Sequence, residues 1–233
     1  MTGGIACGKS LFSRILRELG VATIDADDIV HGLESSGGKA VPLISEKFGS
    51  DILNSDGSVN RPALAEKVFA SPSSRKDLEA ILFPMVKEEI DRFLSSPQTP
   101  GVKFSLAVIP LLFESQWHSD YDIIISLVSS PENMIRRMME TRGYSRQQAL
   151  ARISAQMSVE EKAKRSHYTI LNNSTYEELY ADALRLVDSI QERLDNGRNP
   201  ESDSRANSGV GACRTGKRQA SSRKNRPQNE SGW

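Results

Sequence analysis

Between Gly3 and Ser10 the chain reads Gly-Gly-Ile-Ala-Cys-Gly-Lys-Ser, which fits G-x-x-x-x-G-K-[ST]. Each residue type has a job in a phosphate cradle. Gly3, Gly4 and Gly8 let the main chain adopt conformations closed to larger residues and approach phosphate oxygens. The successive N–H groups through Ile5, Ala6 and Cys7 make an anion nest, reinforced by the start of a helix at Lys9–Leu19. Lys9 would reach the β- and γ-phosphates of a nucleotide. The Ser10 hydroxyl would ligate Mg²⁺, with Leu11 completing the nucleotide-contacting run.

A second signal is acidic. Asp25-Ala26-Asp27 closes the apolar run Val21–Asp25, and ligands of parallel sheets sit outside the carboxyl ends of the strands. A carboxylate there can take a proton from an attacking hydroxyl or hold Mg²⁺ through water. Asp before a helix is also a common N-cap, so both readings of the pair stand.

These residues need elements to position them. The runs 21–25, 104–109, 123–128 and 168–171 are short, apolar and rich in β-branched residues, as in strands covered on both faces of a parallel sheet. Helix starts are marked between them. Ser130-Pro131 supplies an N-cap and a proline at the first helical position. Ser145/Gln148, Ser158/Glu161 and Thr175/Glu178 match the capping-box spacing. Leu179, Ala183, Leu186, Ile190 and Leu194 repeat with the helical period. Residues 31–96 lack a comparable strand and read as a helical insertion. The alternation of strands and helices predicts an α/β class. One element is short. A phosphate loop is entered from a strand, yet only Met1 and Thr2 precede Gly3, so the usual first strand is expected to be missing, with some 5–8 residues upstream.

Composition bounds the rest. The 233 residues carry 30 Lys+Arg and 30 Asp+Glu, which argues against a nucleic-acid binder across its whole surface. The balance hides a division. Residues 196–233 hold eight Lys/Arg against three Asp/Glu, a net +5, which leaves −5 on residues 1–195. That basic segment has few large apolar residues and is expected to be a disordered tail. No run approaches 18 apolar residues, so no membrane helix is expected, and the first residues do not read as a secretory signal. Cys7 and Cys213 stand far apart, against a disulfide framework or a Cys-based zinc site and in favour of a reducing, cytoplasmic setting.

Taken together, Thr2-Gly3-Gly4-Ile5 through Gly8-Lys9-Ser10, Ile24-Asp25-Ala26-Asp27, Pro110-Leu111-Leu112-Phe113-Glu114, Arg152-Ile153 through Gln156-Met157, and Tyr168 through Asn172 resemble the dephospho-CoA kinase family. The resemblance spans residues 1 to about 194. It implies a P-loop kinase domain over 1–195 with a parallel sheet flanked by helices, a helical CoA-binding region at about 31–96 and a lid at about 138–165. It implies transfer of the ATP γ-phosphoryl group to the ribose 3′-hydroxyl of dephospho-CoA, with Mg²⁺. By the same resemblance Asp27 is the base, Lys9 and Arg137 are catalytic cations, and Arg142 and Asn172 lie at the nucleotide. Asp25, Arg61, Pro110, Leu111 and Leu112 lie at the acceptor. The chain departs from the family with Ala6-Cys7 where Gly-Ser is frequent, Phe83-Pro84 where His-Pro is usual, and Thr141 where Arg is common. Two other readings remain at this stage. One is a small P-loop kinase acting on a nucleoside or sugar-like hydroxyl. The other is a non-catalytic nucleic-acid binder working through the basic tail. A GTPase is disfavoured because no Asn-Lys-x-Asp motif occurs.

Overall fold

The computed structural model describes residues 1–69, 71–96 and 102–196. Among the described residues five strands alternate with helices: β1 (Thr2–Gly3), β2 (Ala22–Asp25), β3 (Ser105–Val108), β4 (Ile125–Val128) and β5 (Tyr168–Leu171). All strand pairings are parallel. β2 pairs with β3, β1 with β4, and β4 with β5. The basic segment expected to be disordered lies, from residue 197 on, outside the described residues.

Of the first strand expected to be missing, the described residues hold a two-residue piece, β1 (Thr2–Gly3). Thr2 stands in register with Ser126 and Gly3 with Leu127. On the other side the Ile109 N–H donates to the Met1 carbonyl at 2.8 Å, and the Met1 main-chain nitrogen donates to the Ala107 carbonyl. These bonds join the two sheet segments into the order β2-β3-β1-β4-β5. A stretch this short persists as a strand because both neighbours satisfy its backbone groups, a tertiary effect that a local length rule misses.

Helices cover both faces. α1 (Lys9–Glu18) buries Phe12, Ile15 and Leu16 against α9 (Tyr176–Asp195), which contributes Leu179, Ala183, Leu186 and Ile190. On the other face α2 (Ala26–Glu34), α3 (Val41–Phe48), α4 (Arg61–Phe69) and α5 (Pro72–Leu94) close a second core around Leu33, Ile44, Leu64, Leu82 and Ile90. β3 feeds both cores by simple alternation: Leu106 and Val108 face the first, Ala107 and Ile109 the second. Each fully buried aliphatic side chain contributes about 1.5–3 kcal/mol. α5 carries Pro84 in its interior. Between α2 and β3 the only β pairing among the described residues is one antiparallel bridge, Leu53 to Val59.

α6 (Pro131–Arg142), α7 (Arg146–Ser154) and α8 (Val159–Lys164) follow β4. Ser130, Ser145, Ser158 and Thr175 each accept the expected N-cap bond, and at Ser145 both arms of the capping box are made. No described helix is long and apolar enough to cross a membrane.

The entry to β5 contains a pH-sensitive contact. The Ile124 N–H donates to His167 Nδ1 at 2.9 Å, so that nitrogen must be unprotonated. Burial, then the charge of Arg193, hold the His167 pKa below its usual value. The unfolded chain therefore takes up this proton at a higher pH than the folded chain. Stability contributed by His167 is present above about pH 6.5 and lost as pH falls toward the lower folded value. Urea unfolding between pH 5 and 7.5 should show this slope in the wild type and a flatter one in His167→Gln. Equal slopes would remove His167 as the cause.

Candidate active site

β1 runs directly into the loop Gly4–Gly8, whose last residue is the N-cap of α1. Gly8 has φ +93°, and a Cβ there would stand 2.1 Å from Asn172 Nδ2. Both facts require glycine at this position. The close neighbour is functional in the loop's architecture: buried Asn172, just beyond β5, donates from Nδ2 to the Cys7 carbonyl at 2.8 Å. Ala6 is also left-handed, at φ 57°, a conformation that costs a non-glycine residue about 1 kcal/mol or more. Its carbonyl is held by Arg137 Nη1 at 3.2 Å.

Lys9 folds back over the loop. Its Nζ donates to the carbonyls of Gly3 at 3.1 Å and Gly4 at 2.9 Å. Burial draws its pKa down from the usual lysine value, and Lys162 adds to that. Cys7, Asp27 and Asp25 oppose it. Ser10 is exposed on the first turn of α1, while the Leu11 side chain packs against the core. Cys7 is fully buried with Sγ donating to Met134 Sδ at 3.4 Å, and burial pushes its thiol pKa up. That opposes the activation a helix N-terminus gives an exposed thiol.

The acidic pair separates into two roles. Asp25 ends β2 and caps α2, its Oδ1 accepting from the Asp27 N–H at 2.9 Å. Burial raises the Asp25 pKa, while the bond from Asp27 lowers it. Asp27 lies exposed on the first turn of α2, at the edge of a cavity of about 200 Å³. Pro110 and Leu111 from the end of β3 form one side of that cavity; Leu78, Leu82 and Phe83 of α5 form another. Phe83 sets its ring edge-on to Trp117 with centroids 5.2 Å apart. Leu112 turns inward and belongs to the core.

Arg137 stands on α6, bonded from Nη2 to the Asn172 carbonyl at 3.0 Å and from Nη1 to Ser129 Oγ at 3.3 Å besides Ala6. Arg142 does not share that face: five residues on, it is turned about 140° around the helix axis and exposed. Arg61 is held elsewhere, its Nε donating to buried Glu34 at 2.7 Å. The structure therefore brings together the loop, Lys9, Arg137 and Asn172, and places Asp27 and Pro110–Leu111 around one cavity. It does not bring Arg142 or Arg61 to them.

Three site residues escaped the sequence reading. Ser129 is buried and bonds the Asn172 carbonyl and Asn173 Oδ1, each at 2.9 Å. Gln156 Oε1 accepts from the Ile5 N–H at 3.1 Å. Lys162 is completely buried. Gln156 lies in a segment the family resemblance quoted. Ser129 and Lys162 gave no local signal, since their roles come from partners 43 to 52 positions away.

A family model described as dephospho-CoA kinase matches residues 1–178. The dephospho-CoA kinase of Symbiobacterium thermophilum is 41% identical over 175 residues, 75% of this chain and 73% of its own. That of Carboxydothermus hydrogenoformans is 38% identical over 187 residues, 80% of this chain and 91% of its own. Among solved structures, TT1252 from Thermus thermophilus superposes with a TM-score of 0.68 at 30% identity, covering 83% of this chain and 95% of that one. The dephospho-CoA kinase from Campylobacter jejuni gives 0.59 at 26% identity, covering 82% and 95%.

Proposed function

The chain belongs to the dephospho-CoA kinase family, and from that premise we infer how its residues carry the γ-phosphoryl group of ATP to the ribose 3′-hydroxyl of dephospho-CoA, giving coenzyme A and ADP. One observation supports the assignment of roles above all: the phosphate loop and the cavity edged by Asp27 both open at the carboxyl ends of the parallel strands. The triphosphate lies in the nest of loop N–H groups. Lys9 leaves the Gly3 and Gly4 carbonyls and turns its ammonium to the β- and γ-phosphate oxygens. Arg137, steadied by Ala6 and Asn172, faces the same charge from α6. Asp27 accepts the proton of the 3′-hydroxyl as its oxygen bonds to the γ-phosphorus, and the bond from that phosphorus to the β-bridging oxygen breaks. Asp25 orients this turn through its cap.

Mg²⁺ fits the donors present. Mg²⁺ keeps several waters and binds through phosphates and a few protein oxygens, and the exposed Ser10 hydroxyl on the first turn of α1 is an oxygen donor of that kind. Ser10 would hold it, with Asp25 reaching it through water, and the bound ion would neutralise charge between the β- and γ-phosphates. The helical region at about 31–96 belongs to the acceptor, and about 138–165 to a lid that excludes water on closing. A cytoplasmic setting is part of this reading, supported by the free, buried Cys7 thiol.

The test is incubation of the purified protein with dephospho-CoA and Mg-ATP, with CoA and ADP as the readout, beside a panel of nucleosides and sugar alcohols. CoA formed in step with ADP is expected. Turnover of another alcohol but not of dephospho-CoA would overturn the reading.

A further inference from the structure

A lysine ammonium with no exposure to water is rare, because burying it costs more than an apolar side chain of the same size. Lys162 of α8 is such a group. Its Nζ donates to the Pro110 carbonyl at 2.8 Å and lies 2.9 Å from Glu114 Oε1. Both partners belong to the segment that follows β3 and carries the cavity wall Pro110–Leu111. Two more contacts bind the same segment to the same region. The Met157 N–H donates to Glu114 Oε1 at 3.0 Å, and the Arg165 guanidinium lies 5.0 Å from the centre of the Phe113 ring.

The neighbouring residues reach the other half of the site. Gln156, one position before Met157, holds the Ile5 N–H of the phosphate loop. Thr2 Oγ1, two residues before that loop, donates to the same Pro110 carbonyl at 3.1 Å. The joint between α7 and α8 thus touches the nucleotide loop on one side and the acceptor wall on the other, and Pro110 is where the two sides meet.

We propose that Lys162, paired with Glu114, is a positioning residue that fixes the acceptor wall Pro110–Leu111 against the phosphate loop and so sets the distance between the acceptor hydroxyl and the γ-phosphate. The proposal rests on the dephospho-CoA kinase reading. Lys162 itself touches neither substrate; it acts through the carbonyl and the carboxylate that it holds. An apolar pair would fill the same space at no electrostatic cost, but it would not fix a carbonyl in one direction.

The experiment is steady-state kinetics on Lys162→Met, Glu114→Gln and the double variant Lys162→Met/Glu114→Leu, with thermal melting of each. Met keeps the length of the stem. After its introduction Glu114 can turn to water, and the Pro110 carbonyl keeps its bond from Thr2. Lys162→Met is expected to raise KM for dephospho-CoA and lower kcat by about 10–100-fold, as a misplacement of an ångström or less does, with KM for ATP changed less than about twofold. Glu114→Gln should move the same parameters less. The double variant replaces the ion pair with apolar groups, so its melting temperature should return to or above the wild-type value. Its acceptor KM should stay raised. Recovery of acceptor KM together with melting temperature would reduce the pair to a stabilising contact and overturn the proposal. So would equal increases in both KM values. If the wild type makes no CoA, the functional reading fails first; if it makes CoA and the split between the KM values is absent, only the positioning role fails.

Discussion

Asp27→Asn is expected to lower kcat for CoA formation by about 10²–10⁴-fold, the range supplied by a positioned general base. Asparagine keeps the volume and one oxygen of the carboxylate, but it cannot take a proton at neutral pH. The backbone should not notice the change. The Asp27 N–H, not its side chain, makes the capping bond of α2, and the side chain is exposed. KM for ATP should therefore remain near the wild-type value while turnover collapses. Asp25→Asn is the control, because asparagine caps a helix about as well as aspartate. The introduced amide keeps the cap and one oxygen toward the water that would join it to Mg²⁺, so the rate should fall less than in Asp27→Asn. Rapid-quench or coupled assays of both variants decide the matter. If Asp27→Asn keeps more than about a tenth of the wild-type rate while Asp25→Asn loses it, the two roles are reversed.

Lys9→Ala is the second large effect. Phosphoryl transfer relies on neutralising charge over the β- and γ-oxygens, and removing one such fixed group costs on the order of 10²–10³ in kcat. Because Lys9 also attracts the ground-state triphosphate, KM for ATP should rise with the loss of turnover. The empty loop loses only the two bonds to the Gly3 and Gly4 carbonyls, so the variant should melt close to the wild type without nucleotide. It should also lack most of the stabilisation that Mg-ATP gives the wild type. The wild type carries a further signature. Burial lowers the Lys9 pKa, so its cation is lost at a lower pH than an ordinary lysine's, and kcat/KM should fall on the alkaline side correspondingly early. Wild-type nucleotide stabilisation in Lys9→Ala would place the triphosphate elsewhere.

What the residues disclosed in advance follows a physical division. The strands β2 to β5 and the caps at Ser130, Ser145, Ser158 and Thr175 were legible because their causes are local: a run of β-branched residues, or a hydroxyl three positions before the N–H it accepts. The phosphate loop was legible for the same reason. β1 was not, since its two residues are held by strands more than a hundred positions away. The spacing of Asp25 and Asp27 showed that the pair shares one turn, but not which of them spends its carboxylate on the cap. Arg61 carried the charge that a phosphate site needs, yet a buried glutamate on a different helix engages it. Nothing in the sequence around Lys162 marks it; the fold alone places Pro110 and Glu114 beside it.

Pro84 interrupts α5 in the stretch that walls the cavity edged by Asp27. Having no N–H, it leaves the Ala80 carbonyl without its usual helical donor, and Ala80 faces water, which can supply one. Leu78, Leu82 and Phe83 lie before this break and Val86 after it. A helix lacking one main-chain bond bends more easily there than along the rest of its length, so a load on this wall is taken up first at Pro84.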